Sequence, residues 1–350
     1  MEDCFMRVGI LTGGGDCPGL NAVIRAVVRK VLKNPDGTTL GIRLGWQGLM
    51  DGHIEELGLS SVSGILPKGG TILGTSRTNP MKIDGGLEKI ILNLKRFQID
   101  ALIAVGGEDT LGVANELYKR GVNVVGVPKT IDNDLSGTDY TFGFDTAINI
   151  TTEAIDRLHT TAESHNRVMV VEVMGRNTGW IAVEAGIAGG ADVILIPEEP
   201  VTIDHICELI VGRHERGKDF SIVVVAEGFK LEAEGTKGYI VQDDKPDAFG
   251  HVRLGGVGAI IAKLIEDKTG FETRYSMLGY IQRGGTPSAF DRILGTRFGV
   301  AAVDLIEKGE FGKMVSLRGN KIVSVPLIEA IANLKTVDKD LFDIAKVFFG

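Results

Sequence analysis

The chain has 350 residues, 43% hydrophobic and 24% charged, with a formal net charge of −8. That composition supplies a soluble globular core and argues against disorder, and an acidic balance without a basic block argues against nucleic acid and an anionic membrane surface as partners. At about 100–200 residues per domain, the length points to two domains or one large one.

From Met1 to Arg7 there is no basic stretch leading into a long apolar one, and no apolar run approaches the roughly 20 residues of a membrane helix. A reduced, cytoplasmic protein is expected. The first strand is predicted over Arg7–Thr12, followed by the loop Gly13-Gly14-Gly15-Asp16-Cys17-Pro18-Gly19. A helix follows over Leu20–Val31, whose apolar residues Leu20, Val23, Ile24, Val27, Val28 and Val31 fall on one face. Strand Ala101–Val105 leads through Gly106-Gly107-Glu108-Asp109-Thr110 into a helix over Leu111–Arg120. Strand Asn123–Val127 runs into Pro128-Lys129-Thr130-Ile131-Asp132-Asn133-Asp134. A helix over Ile150–Thr161 precedes strand Val168–Val173 and the turn Met174-Gly175-Arg176. Strand Asp192–Ile196, a helix over Ile203–Arg216 and strand Ser221–Ala226, ending at Glu227, complete the series. The strand runs are almost continuously apolar, as strands buried on both faces should be. Their alternation with helices predicts an α/β protein with mainly parallel sheets, whose ligands sit where the polar loops leave the strand ends.

Each loop carries chemistry and also a plainer reading. The Gly13–Gly15 loop ahead of a helix suits an anion, or is a simple turn. Pro18 replaces the third glycine of a dinucleotide fingerprint, and there is no Gly-Lys-Ser/Thr of a Walker loop. Glu108 and Asp109 suit magnesium, but acids and Thr110 also suit a helix start. In the third loop, a carboxylate close to Lys129 and Thr130 suits proton abstraction from a hydroxyl. Arg176 and Arg283 suit a phosphate through their forked donors, or form surface ion pairs. Cys4, Cys17 and Cys207 contain no Cys-x-x-Cys pair, and His159, His165, His205, His214 and His251 read as surface or helix residues without a metal-ligand pattern.

Six stretches in order resemble the phosphofructokinase family: Thr12–Asn21, Gly106–Thr110, Pro128–Asp134, Gly137–Phe144, Val171–Arg176 and Leu278–Gly285. The resemblance implies two three-layer α/β domains with mainly parallel sheets and the active site in the cleft between them. Residues 1–143 plus 282–332 would bind the phosphoryl donor, and 144–281 plus 333–350 fructose 6-phosphate. It implies transfer to the 1-hydroxyl of that sugar, with Mg²⁺. Carried over, Asp132 is the base, and Thr130 and Asp134 hold the sugar. Met174, Gly175, Arg176, Glu227, Tyr280 and Arg283 line its pocket. Arg167 and Arg274 reach the 6-phosphate from a neighbouring subunit, so a homo-oligomer, dimer or tetramer, is implied. Gly14, Arg77 and Thr110 take donor-phosphate positions, and Glu108 the metal position.

The finer pattern concerns the donor. Members that use ATP resemble Gly-Gly-Asp-Gly-Ser at the second loop, where this chain has Asp109; Lys129 precedes Thr130, and Tyr280 stands where a histidine is usual. All three resemble pyrophosphate-dependent members. A carboxylate beside a nucleotide's α-phosphate costs roughly 4 kcal/mol for like charges about 4 Å apart at an effective dielectric near 20. Pyrophosphate escapes that repulsion, and Lys129 would neutralise its leaving phosphate. Pyrophosphate-dependent, reversible phosphorylation of fructose 6-phosphate is therefore expected, with an ATP-dependent enzyme and a non-catalytic sugar-phosphate sensor as the alternatives. Arg25 and Arg29 match effector positions, whereas His53 and Gly217-Lys218-Asp219 depart from them, which argues against allosteric control of the bacterial type.

Overall fold

The computed structural model describes residues 6–231, 241–243, 249–250 and 253–350; Cys4 and His251 lie outside the described residues. Its strands are β1 (Met6–Thr12), β2 (Gly37–Ile42), β3 (Ile54–Glu56), β4 (Ala101–Gly106), β5 (Val124–Pro128), β6 (Val168–Val173), β7 (Val193–Leu195), β8 (Ser221–Ala226), β9 (Val241–Asp243), β10 (Arg253–Leu254), β11 (Thr273–Met277), β12 (Lys313–Arg318) and β13 (Lys321–Pro326). The helices are α1 (Leu20–Val31), α2 (Gly45–Asp51), α3 (Gly86–Arg96), α4 (Glu108–Lys119), α5 (Phe144–His165), α6 (Trp180–Ala188), α7 (Ile203–Glu215), α8 (Val257–Thr269), α9 (Ala289–Glu307), α10 (Leu327–Ala330) and α11 (Lys339–Lys346). No described helix is long and apolar enough to cross a membrane.

The chain forms two compact units. One comprises Met1–Thr146, Asp247–Gly250 and Arg283–Leu334; the other comprises Ala147–Pro246, His251–Gln282 and Lys335–Gly350. The first holds a sheet in the order β13-β12-β5-β4-β1-β2-β3, parallel except for its outermost strands β3 and β13. β1 pairs with β2 on one side and β4 on the other, so strand order reverses there. Loops leaving β1 and β4 part at such a reversal and open a crevice for ligand. Leu11, Leu102, Ala104 and Leu111 belong to a buried core that gathers Trp46 and Ile90 from the covering helices.

The second unit holds a parallel sheet in the order β11-β6-β8-β7. Val168, Val170, Val223 and Val225 pack with Ile206, Ile210, Ile261 and Ile265 of α7 and α8. The expected α/β class with mainly parallel sheets is what both units show. Two helices start earlier than their apolar periodicity predicts. α4 begins at Glu108 rather than Leu111, because extended Gly107 is its N-cap. α5 begins at Phe144 rather than Ile150, and its first turn is anchored by Asp291, which accepts from the Thr146 amide (2.8 Å) and hydroxyl (2.5 Å).

Candidate active site

In the first unit three loops converge at the strand reversal. The loop after β1 is shaped by glycine. Gly14 has φ +76°, and a Cβ there would lie 3.4 Å from the Lys129 ammonium. A Cβ on Gly13 would come within 2.6 Å of the Thr110 hydroxyl, and one on Gly106 within 2.3 Å of the Thr110 Cβ. Thr110 is thus a buried wedge that spaces the first two loops. The amides of Gly13 and Gly14 are already used, donating to the carbonyls of Val105 (2.9 Å) and Ser76 (3.3 Å). Gly19, not the glycine triplet, is the N-cap of α1. The loop therefore differs from a row of free amides at a helix start, and the nearby positive charge comes from side chains. Lys129 is buried and donates to the Gly15 carbonyl at 2.5 Å. Arg283 lies against Gly15 and donates to the Asp16 carbonyl at 3.4 Å. The Thr75 hydroxyl donates to the Gly14 carbonyl (2.6 Å), which sets the segment carrying exposed Arg77 alongside this loop.

Glu108 is exposed and Asp109 half-buried in the first turn of α4, where the helix dipole favours acids. In the third loop the Thr130 hydroxyl accepts from the Asp132 amide at 3.1 Å and also bonds the Asp134 carboxyl. Burial first, then the charge of Asp132 and the weaker charge of Glu108, pushes the Asp134 carboxyl well above the usual carboxylate range. Asp134 thus feels carboxylates from two loops. Among the described residues no group of three or more His, Cys, Asp or Glu side chains forms a metal cage. Mg²⁺ commonly takes one or two carboxylates and completes its shell with phosphate oxygens and water, so this acid set fits it. Burial lowers the Lys129 pKa and lifts that of the Cys17 thiol to about 12, which leaves Cys17 protonated and unreactive.

In the second unit the loops after β6 and β8 meet. The Glu227 amide donates to the Val173 carbonyl (2.8 Å) and the Gly228 amide to the Gly175 carbonyl (3.0 Å). Gly175 has φ +143°, and a Cβ there would sit 2.6 Å from the Thr178 carbonyl, so this turn requires glycine. The structure therefore brings Met174, Gly175, Arg176 and Glu227 together. Gln282, given no role by the sequence, is fully buried. It accepts from the Met174 amide and the Thr151 hydroxyl (both 3.3 Å) and donates to the Gly279 carbonyl (3.2 Å). Its signal in the sequence is only that an amide side chain stands between Ile281 and Arg283. Tyr280 is exposed.

Arg167 and Arg274 stand apart from that cluster. Arg167 precedes β6 and Arg274 is the second residue of β11, at the opposite end of the sheet from Met174. The six residues of β6 separate the two ends by roughly 20 Å at about 3.3 Å per residue. Both guanidinium groups bind Glu272, at 2.7 and 2.6 Å, and Arg274 also lies 3.8 Å from Glu266. His159 binds the Gly189 carbonyl at 2.7 Å on α5, and His165 and His205 are exposed.

A family model described as Phosphofructokinase matches residues 7–306. A Streptomyces coelicolor protein named pyrophosphate–fructose 6-phosphate 1-phosphotransferase is 58% identical over 346 residues, 99% of this chain and 100% of its own length. The ATP-dependent 6-phosphofructokinase of Mycobacterium tuberculosis is 51% identical over 346 residues, again 99% of this chain and 100% of its own. Among solved structures, Pichia pastoris phosphofructokinase in the T-state superposes with a TM-score of 0.83 at 32% identity, over 98% of this chain and 36% of that one.

Proposed function

The chain belongs to the phosphofructokinase family, and from that premise we propose that it transfers a phosphoryl group reversibly from pyrophosphate to the 1-hydroxyl of fructose 6-phosphate. The observation that carries the donor assignment is a pair of side chains carried by two neighbouring loops. Lys129 is buried against Gly14 and Gly15, and Asp109 stands in the first turn of α4. A carboxylate at that turn repels a third phosphate, and the ammonium favours a short dianionic leaving group. Relatives named for pyrophosphate at 58% identity support this reading; the 51% identity to ATP-dependent relatives makes ATP the second reading.

In this mechanism the first unit supplies the donor seat and the base. Gly14, Arg77 and Lys129 offer the pyrophosphate a short loop and positive charge, Thr110 shapes that seat, and Arg283 serves the sugar phosphate. Glu108 would hold Mg²⁺, which when bound supplies charge neutralisation on the phosphoryl oxygens. Asp132 takes the 1-hydroxyl proton as that oxygen bonds to the nearer phosphorus. The bridging P–O bond breaks and orthophosphate leaves with the bond's electrons. Thr130 and Asp134 orient the sugar. In the second unit Met174, Gly175, Arg176, Glu227 and Tyr280 bind fructose 6-phosphate, and Arg176 offsets charge on the transferring group. Arg167 and Arg274, at the far end of their sheet, serve the 6-phosphate bound to a second copy in a homo-oligomer. Parallel coupled assays with pyrophosphate and with ATP, each with fructose 6-phosphate and Mg²⁺, test the proposal. Turnover supported by pyrophosphate is expected; turnover with ATP alone overturns the donor assignment.

A further inference from the structure

The third loop contains a backbone conformation that most residues avoid. Asn133, between Asp132 and Asp134, has φ +51°. Asparagine tolerates this left-handed region better than other side-chain-bearing residues. Its side chain is buried, with 1% of its surface exposed, and its Oδ1 accepts from the Thr141 amide at 3.1 Å. Thr141 is fully buried, and its hydroxyl donates to the Thr130 carbonyl at 2.7 Å. One residue further on, Phe142 bridges to Lys129. The segment 141–142 therefore grips the loop on both sides of Asp132. One grip is on the peptide of Thr130, two residues before it, and the other on the side chain of the residue after it. Neither Asn133 nor Thr141 is placed to act as an acid or a base itself.

We infer that Asn133 and Thr141 are positioning residues, a buried clamp that fixes the turn bearing Asp132 and so sets the aim of its carboxylate. The inference rests on the reading of Asp132 as the base. A displacement of about 1 Å in a reacting group can cost on the order of a hundredfold in rate, so releasing the clamp should be felt in turnover. The ground-state sugar contacts of Arg176 and Glu227 belong to other loops and should be felt much less.

The test uses the full-length protein and whichever donor supports wild-type turnover. The variants are T141V, T141S, N133G and, as a control, D132N. T141V removes the hydroxyl and keeps the amide. T141S restores the hydroxyl. N133G keeps the left-handed backbone and removes only the side-chain bond. Steady-state kinetics are read alongside calorimetric titration with fructose 6-phosphate, which counts competent molecules. T141V and N133G should lower kcat by about ten- to a hundredfold, with full binding stoichiometry and a Kd changed less than about threefold. T141S should recover to within about threefold of wild type. If kcat falls only in proportion to lost stoichiometry, or T141S is no better than T141V, the clamp is merely structural and the inference fails. If T141V and N133G keep wild-type kcat while D132N is inactive, the inference fails and the base assignment stands. If D132N itself turns over normally, the base assignment fails, and the clamp's role falls with it.

Discussion

Replacing Asp291 with asparagine removes a carboxyl that is fully buried where α9 and α5 begin. Burial holds this carboxyl at about 6, against 3.8 for an exposed aspartate, even though Thr146 donates two hydrogen bonds to it. The folded protein thus binds this proton more tightly than the unfolded chain. The stability linked to it is complete below the unfolded value and is lost as pH rises through the folded one. At roughly 1.4 kcal/mol per pH unit, the interval is worth about 3 kcal/mol. D291N keeps an oxygen to accept the Thr146 bonds and cannot ionise. Urea unfolding followed by tryptophan fluorescence is suited to this, because Trp46 is buried in the same unit. The stability of D291N relative to wild type should rise between pH 4 and pH 7.5, by up to roughly 3 kcal/mol, with most of the gain accumulating below about pH 6.5. A stability difference that stays flat across that range would refute the reasoning.

D132N should lower turnover by about 10²–10⁴-fold, the usual scale of general-base catalysis, with fructose 6-phosphate affinity nearly unchanged in calorimetric titration. D109G should improve the KM for ATP and weaken the pyrophosphate reaction, whereas K129G should harm pyrophosphate use more than ATP use; kinetics of both variants with each donor measure this. R167A and R274A should mainly raise the KM for fructose 6-phosphate, because the phosphate these arginines would hold is remote from the reacting bond. Sedimentation should find the active species oligomeric, and full activity from a monomer would contradict the shared site.

The sheet centres were legible because β4, β6 and β8 are buried along their whole length and read as nearly continuous apolar runs, interrupted by Glu172 in β6 and Ser221 at the start of β8. β2 gave no such signal, since glycines and threonines interrupt its run although nearly all of it is buried. Edge strand β11 is Thr-Arg-Tyr-Ser-Met and mostly exposed, so it lacks the pattern of a buried strand. The loops were legible as dense polar stretches after strands, and the structure brings Gly14, Lys129 and Thr110 into contact distance. What the sequence hides is long-range pairing. Asp291 reads as an ordinary acid at a helix start, yet its partner is 145 residues away. The left-handed turn at Asn133 is hydrogen-bonded to Thr141, and no periodicity reports that bond.

The sharing of Glu272 by Arg167 and Arg274 has a thermodynamic consequence. Each long arginine side chain carries about 2 kcal/mol of rotamer entropy, which an anion normally has to freeze out on binding. Here an intrachain carboxylate has already ordered both forks before any anion arrives. Preorganisation of this kind strengthens association without adding a new interaction. Glu272 also competes for the same donors, so an anion gains only the difference between its own attraction and that of the resident carboxylate. In the role proposed for these arginines, a doubly charged phosphate would compete with that single carboxylate better than a monoanion would, so one glutamate would favour ligands of higher charge.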